Sequence, residues 1–335
     1  MVKFAIRRLL LLVPVLFGLS LLVFVIGRVI PGDPVALAAG PTASHAQVAA
    51  LTHELGFDRP VYVQYVYYVS GLLKGDWGQS IFTRRPVLSD VAIYLPATLE
   101  IVFAAMLIAI VAGVPAGMAA AVYRNRLPDY LSRTVALGSI STPQFFFGLL
   151  LQLLFAMTLN WLPLSGRFPL TLDPPHRITG LLTLDSLLAG DFHALHVALV
   201  HLALPALTAC LTPLASIVRM MRTATIEVLQ QDYVTTARAL GVSPRVILWK
   251  YVLKNALSTT LTVVGLYFGW LLGGTVLVET VFDWPGIGQY AAKAIVMHDF
   301  TPVMGVTLTI GVLVILTSLV VDLLYGVINP KVRYQ

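Results

Sequence analysis

The sequence predicts an all-α polytopic membrane protein, and three observations carry that prediction. Its 335 residues are 58% hydrophobic and 11% charged, with a mean hydropathy of +0.85; a soluble globular chain is roughly a quarter charged. Apolar runs of about 20 residues, the length a helix needs to cross the hydrocarbon core, recur six times. Lysines and arginines gather in alternate connections between those runs, as expected for loops retained in the cytoplasm. The expected architecture is six transmembrane helices, with an outside segment between the first and second and a cytoplasmic elbow between the fourth and fifth.

The first run, 9–30, contains "LLLLVPVLFGLSLLVFVI" and follows Lys3, Arg7 and Arg8. It is too long for the apolar part of a secretory leader. "PGDP" also separates it from "ALA" at 36–38, which resembles a cleavage site, so a retained anchor is expected. The outside segment, 31–96, holds Arg59, Lys74, Arg84 and Arg85 but is too long for its charges to set orientation. Within it "VYVQYVYYVSGLL" (61–73) mixes aromatic and apolar residues at near-helical spacing between Pro60 and Gly75. A helix lying in the membrane interface fits this pattern, and so does a small extramembrane core helix.

The remaining spans are expected at 97–121, 134–159, 197–218, 258–281 and 302–328. Arg124, Arg126 and Arg133 mark one inside loop, and Arg219, Arg222, Arg238, Arg245, Lys250 and Lys254 mark another. Lys331 and Arg333 close the chain on the same side. The connections 160–196 and 283–301 carry few basic residues and are placed outside, which leaves both termini in the cytoplasm. Glycine stripes at 113 and 117 and at 265, 269 and 273 predict close helix–helix contact.

Ionisable residues inside a span point to function because burying them is expensive. Glu100, His201, Glu279 and Asp322 all lie within a turn or two of an expected span end, where snorkelling or capping accounts for them. No midplane relay suited to an ion-driven carrier is visible. None of the six lysines precedes Ser or Thr, so the sequence contains no P-loop. Neither HExxH nor GxSxG occurs, the seven histidines are scattered, and a lone Cys210 cannot form an intramolecular disulfide. No catalytic residue, metal site or cofactor is expected in this chain. The +6 net charge is explained by the inside loops rather than by nucleic acid.

The most polar and basic stretch, "QQDYVTTARALGVSPRVILWKYVLKNAL" (230–257), reads as helix, glycine turn, helix. A DNA-binding helix-turn-helix would press a duplex against the bilayer, because spans flank the stretch closely. A solvated loop would not need the apolar faces formed by Val234, Ala237, Leu240, Val246, Ile247 and Val252. A docking elbow for a cytoplasmic partner is the third reading.

"DYVTTARALG" resembles the cytoplasmic EAA loop of binding-protein-dependent ABC importer permeases, in the dipeptide, oligopeptide and nickel branch. "IPGDP", "LGFDRPVYVQY", "GDWGQSI", "LPATLEI", "STPQFFFG", "VETVFDWPGIGQYAAKAI" and "VDLLYGVINP" extend the resemblance over essentially the whole chain. Thr235 and Thr236 stand where the general pattern has Glu and Ala, and Lys254 where Pro is common; Ala237, Gly241 and Leu253 match.

The resemblance implies an N-terminal helix (1–30), an outside segment (31–96), a permease core of five spans (97–330) and a coupling loop (222–257). It further implies a second homologous permease subunit, two cytoplasmic ATPase subunits that hold ATP and Mg, an extracytoplasmic solute-binding protein, and a place in the bacterial inner membrane. Asp232, Tyr233, Ala237, Arg238, Leu240, Gly241 and Arg245 would then contact the ATPase. The long outside insert 164–195 is most like that of the dipeptide permeases, with nickel, glutathione or another small solute as alternatives. An ion-coupled secondary carrier is the alternative within transport. In 278–295, Glu279, Trp284, Pro285 and Gly286 are expected to shape the outer mouth, with Trp284 at the interface and Pro285-Gly286 enforcing a turn. The alternative is a loop that only closes the last two spans.

Overall fold

A computed structural model of the protein describes residues 2–29, 44–54 and 58–328. "PGDP", "ALA", the closing Lys331 and Arg333 and the start of the outside segment lie outside those residues. The helices in chain order are α1 (Val2–Val29), α2 (His45–Glu54), α3 (Val61–Lys74), α4 (Val87–Val122), α5 (Leu127–Ser141), α6 (Gln144–Leu151) and α7 (Leu182–Leu188). After them come α8 (Phe192–Leu229), α9 (Asp232–Ala239), α10 (Leu253–Gly274), α11 (Val276–Val281), α12 (Ile287–Val296) and α13 (Phe300–Ile328). Two π-helical stretches, Gln152–Thr158 and Ile247–Val252, continue α6 and lead into α10.

Among the described residues, five helices are long and apolar enough to cross a membrane, or six if one bent pair is counted as a single span. Exposed Phe103, Leu107 and Val111 on α4 and Leu10, Val13 and Phe17 on α1 form apolar faces that only lipid or another apolar partner would cover. The protein is a polytopic helical membrane protein.

The expected third span, 134–159, is not one helix. α5 and α6 meet at 106°, because Pro143 lacks an amide hydrogen and Thr142 before it is extended, at φ −101° and ψ 123°. α4 begins at Val87, ahead of the expected 97, and passes through Pro96 without breaking. A proline leaves unpaired the carbonyl four residues earlier, and here Arg177 Nη2 donates to Ala92 O at 2.6 Å. Pro213 in α8 is handled in the same way, by Gln144 Nε2 donating to Ala209 O at 3.1 Å. α4 and α8 have 36 and 38 residues, or roughly 54 and 57 Å, well beyond a hydrocarbon core of about 30 Å. The fifth span ends at Gly274, and α11 follows as a separate short helix.

The core is built where α4, α8 and α10 meet, around Ile101, Ala105, Ala109, Ala209, Ile217 and Leu271. Close approach of α4 and α8 depends on Gly117, where a Cβ would collide with the Val218 carbonyl and the Met221 Cβ. The expected stripe on α10 faces α13, with Gly265 against Val321 and Gly269 against Val314.

Candidate functional site: the elbow, the Glu279 lock and the cleft

α9 starts with Asp232, whose carboxylate lies at the positive end of the helix dipole. It ends in a paired-bond glycine turn: Gly241 N–H donates to Arg238 O at 3.0 Å and Val242 N–H to Ala237 O at 3.1 Å. Gly241 sits at φ +75°, in the left-handed region that a Cβ disfavours. The turn brings Val234 and Ala237 against Ile247 and Val252, with Val228, Leu229 and Val242 packed around them. Tyr233 also ties α9 to α10, its hydroxyl accepting from Asn255 Nδ2 at 3.0 Å.

Of the residues expected to couple to a partner, Ala237 is only 7% exposed and belongs to this internal cluster. Asp232, Tyr233, Arg238, Leu240, Gly241 and Arg245 are exposed. Val234, Ala237, Ile247 and Val252 cover one another, so their apolar faces need no partner. The hydrophobic residues left uncovered are Leu240, 77% exposed, Trp249, 64% exposed, and the less open Tyr233 and Val246. Trp249 was not singled out from the sequence; a tryptophan between basic residues in the most polar stretch was the available signal.

At the same end, Asp129 ties α5 to α8 from a fully buried position. Arg222 Nε reaches its Oδ1 at 2.6 Å and Arg133 Nη2 its Oδ2 at 2.8 Å, while Asn125 N–H donates to Oδ2 at 2.9 Å. Arg133 and Arg222 are therefore structural cations as well as orientation signals.

At the opposite end of α4, Glu279 is buried and fully committed. Thr98 and Thr275 hydroxyls donate to its Oε1 at 2.7 and 3.0 Å, and Gln289 N–H to its Oε2 at 2.8 Å. Gly286 lies so close that a Cβ there would collide with the Glu279 carboxyl and the Thr98 hydroxyl. Trp284 is buried at 1% exposure, not placed at a surface as its type suggested. Its indole N–H donates to Ala97 O at 2.8 Å, which gives the polar edge a partner inside the core. The turn before α12 is made by Asp283, at φ +45°, while Gly286 is extended and caps α12. Glu279, Trp284, Pro285 and Gly286 thus form one packed lock between α4, α11 and α12.

The insert 160–191 is fastened to the same end. Arg167 pairs with buried Glu100 at 2.7 Å, and Glu100 Oε1 also accepts from the Thr183 N–H at 2.7 Å, at the start of α7. His201 Nδ1 lies 3.0 Å from Gly166 O. Glu100, His201 and Glu279 are accordingly held by named partners rather than snorkelling. Asp185 closes the insert on itself: burial raises its carboxyl pKa, but donors from Thr179, Gly180 and Ile178 outweigh that and hold it below the ordinary value. Tyr290 on α12 donates to Asp90 at 2.8 Å, and burial together with that carboxylate pushes its hydroxyl well above the usual range.

Between the α5–α6 bend, α8 and α10 lies a cleft of about 650 Å³. Thr142, Gln144, Thr212, Ser216 and Tyr267 supply polar groups to its wall, and Arg219 supplies a charge.

Residues 113–334 match the family described as the binding-protein-dependent transport system inner membrane component, and residues 1–102 match its N-terminal counterpart. The chain belongs to that family. This permease is 46% identical over 321 residues to a probable D,D-dipeptide transport system permease of Escherichia coli K12, covering 96% of this chain and 94% of the relative. It is 45% identical to the di/tripeptide transport system permease of Pseudomonas aeruginosa UCBPP-PA14, over the full length of both. The glutathione transport system permease of Escherichia coli K12 is 38% identical, again over the full length of both. Elbow, lock and cleft all lie in matched regions of the permease.

Proposed function

We propose that this permease imports di- or oligopeptides in a complex with a second homologous permease, two cytoplasmic ATPases and an extracytoplasmic solute-binding protein. Relatives of 45–46% identity that are named for dipeptides or di/tripeptides support the solute class. The chain contributes the path and the mechanical link, and ATP hydrolysis belongs to the partners. In this reading six spans cross the inner membrane with both termini inside, and the α5–α6 bend lies within the third.

One observation carries the mechanical part: the elbow is a rigid unit with an uncovered rim. Its apolar interior clamps α9 to the start of α10, so a push on the rim around Leu240 moves the helices instead of bending a loose loop. Tyr233, Leu240 and Trp249, flanked by Arg238, Arg245 and Lys250, offer aromatic, aliphatic and cationic contacts to an ATPase groove. The lock around Glu279 and the insert form the outer mouth, where solute would arrive.

The test is reconstitution in vesicles with the partner subunits, measuring uptake of labelled dipeptide. Uptake should require ATP inside and binding protein outside, and collapsing the proton gradient should leave it unchanged. Uptake driven by a proton gradient alone, without ATPase subunits, would replace this reading with a secondary carrier.

A further inference from the structure

We infer that Arg219, with the Ser216–Tyr267 hydroxyl pair, is a carboxylate subsite for the solute inside the cleft between α5, α8 and α10; this rests on the import reading above. The cleft, at about 650 Å³, is within the usual size range of small-molecule sites, roughly 300–1,000 Å³. Its walls combine an apolar surface from Trp270 with the hydroxyl and amide groups of Thr142, Gln144, Thr212, Ser216 and Tyr267. Arg219 is the charged residue on that wall.

The two arginines of this stretch of α8 have different commitments. Arg222 gives Nε and Nη2 to Asp129, which Arg133 also reaches. Arg219, three residues earlier on α8, has only a 3.5 Å contact from Nη2 to Ser216 Oγ and no carboxylate partner among the described residues. Arg219 is exposed at the cleft, and its guanidinium, with no carboxylate partner, offers a fork of donors that matches a carboxylate. The neighbouring hydroxyls add to it. Ser216 Oγ donates to the Tyr267 hydroxyl at 2.7 Å, leaving the Tyr267 O–H free to donate to an anion in the cleft. The solutes in the relatives' names, dipeptides and glutathione, all present free carboxylates.

The experiment uses the full complex in nanodiscs of neutral lipid, without binding protein. Cys210 is replaced by Ala and Thr212 by Cys, and the rate of maleimide labelling is read with dialanine or its C-terminal amide. Dialanine should slow labelling several-fold and the amide should not. Arg219→Gln should weaken this protection by roughly tenfold in concentration, and Arg219→Lys should keep part of it. Thr142→Cys serves as a second reporter if the first variant does not assemble. Equal protection by the amide, no protection at all, or protection surviving Arg219→Gln would overturn the subsite. So would labelling that tracks added anionic lipid, which would assign Arg219 to phosphate headgroups. ATP-driven uptake by the unmodified complex is measured separately. Uptake without protection removes only the subsite, whereas protection without ATP-driven uptake removes the import reading.

Discussion

The Thr98 hydroxyl donates to Glu279 Oε1 at 2.7 Å, across 181 residues of sequence, and so joins α4 to α11 where both side chains are fully buried. The same carboxyl takes the Gln289 N–H that opens α12, so one acid fixes three helices. Removing an acceptor from buried donors costs about 1–3 kcal/mol, more when a charged group is involved. Glu279→Leu should therefore lower the melting temperature of the purified permease clearly more than Glu279→Gln, which keeps one acceptor oxygen. Gly286→Ala should destabilise as well, because the new Cβ lands on that carboxyl. Melting temperatures of all three variants equal to wild type would reduce the lock to an incidental contact.

Burial around the lock also defines which positions a reagent can reach, and the proposed orientation makes that reagent an outside one. Ile287, Gly288, Gln289 and Tyr290 are buried, whereas Lys293 and the residues from Ile295 to His298 are exposed. Single cysteines in a Cys210→Ala background should label quickly at 293 and 296 from the outside and slowly at 288 and 290. Fast labelling at 288 in the resting complex would mean that α12 swings away from Glu279. Reactivity at 288 that appears only when nucleotide is trapped would show the lock opening during the cycle.

The elbow separates internal packing from external contact, and two substitutions should distinguish them. Leu240→Asp alters an exposed side chain, so the permease should keep its melting temperature and lose co-purifying ATPase subunits. Ala237→Asp puts a charge into the cluster with Val234, Ile247 and Val252, where an unpaired charge is strongly unfavourable. That variant should become protease-sensitive around 230–252 as well as losing the ATPases. If Leu240→Asp retains its ATPases at wild-type stoichiometry, the exposed rim is not the docking surface.

Most of the helical architecture was legible in the sequence, because long apolar runs leave a chain in lipid few alternatives to helix. Two of the misplaced boundaries fall at prolines. Pro96 and Pro143 give the same local signal, yet one lies inside α4 and the other ends α5. In α4 the carbonyl that Pro96 leaves unpaired receives a donor from Arg177, distant in sequence, whereas at Pro143 the preceding Thr142 turns extended. Pairings of this kind are tertiary and leave no periodicity to read. The same applies to Trp284, whose residue type suggests an interface until Ala97 O supplies a buried partner, and to Asp129, a lone acid among loop arginines. In the elbow, the helix–glycine–helix pattern was readable in 230–257. Whether an apolar face turned inward or outward depended on how far Gly241 folded the chain back.

That fold-back yields the last prediction. A Cβ at Gly241 would meet nothing within 4 Å, so its cost is purely conformational, arising from φ +75°. Forcing a branched residue into the left-handed region costs about 1–2 kcal/mol, and less for Asn, which tolerates it. Gly241→Val should shift part of the population to a different turn and release Val242 from the cluster it caps, while membrane insertion and solute capture by the binding protein persist. ATP hydrolysis per peptide imported should then rise, because ATPase closure no longer moves α10. Gly241→Asn should stay near wild type in the same assay. If Val and Asn variants couple equally well, the angle set at Gly241 is not what transmits the stroke.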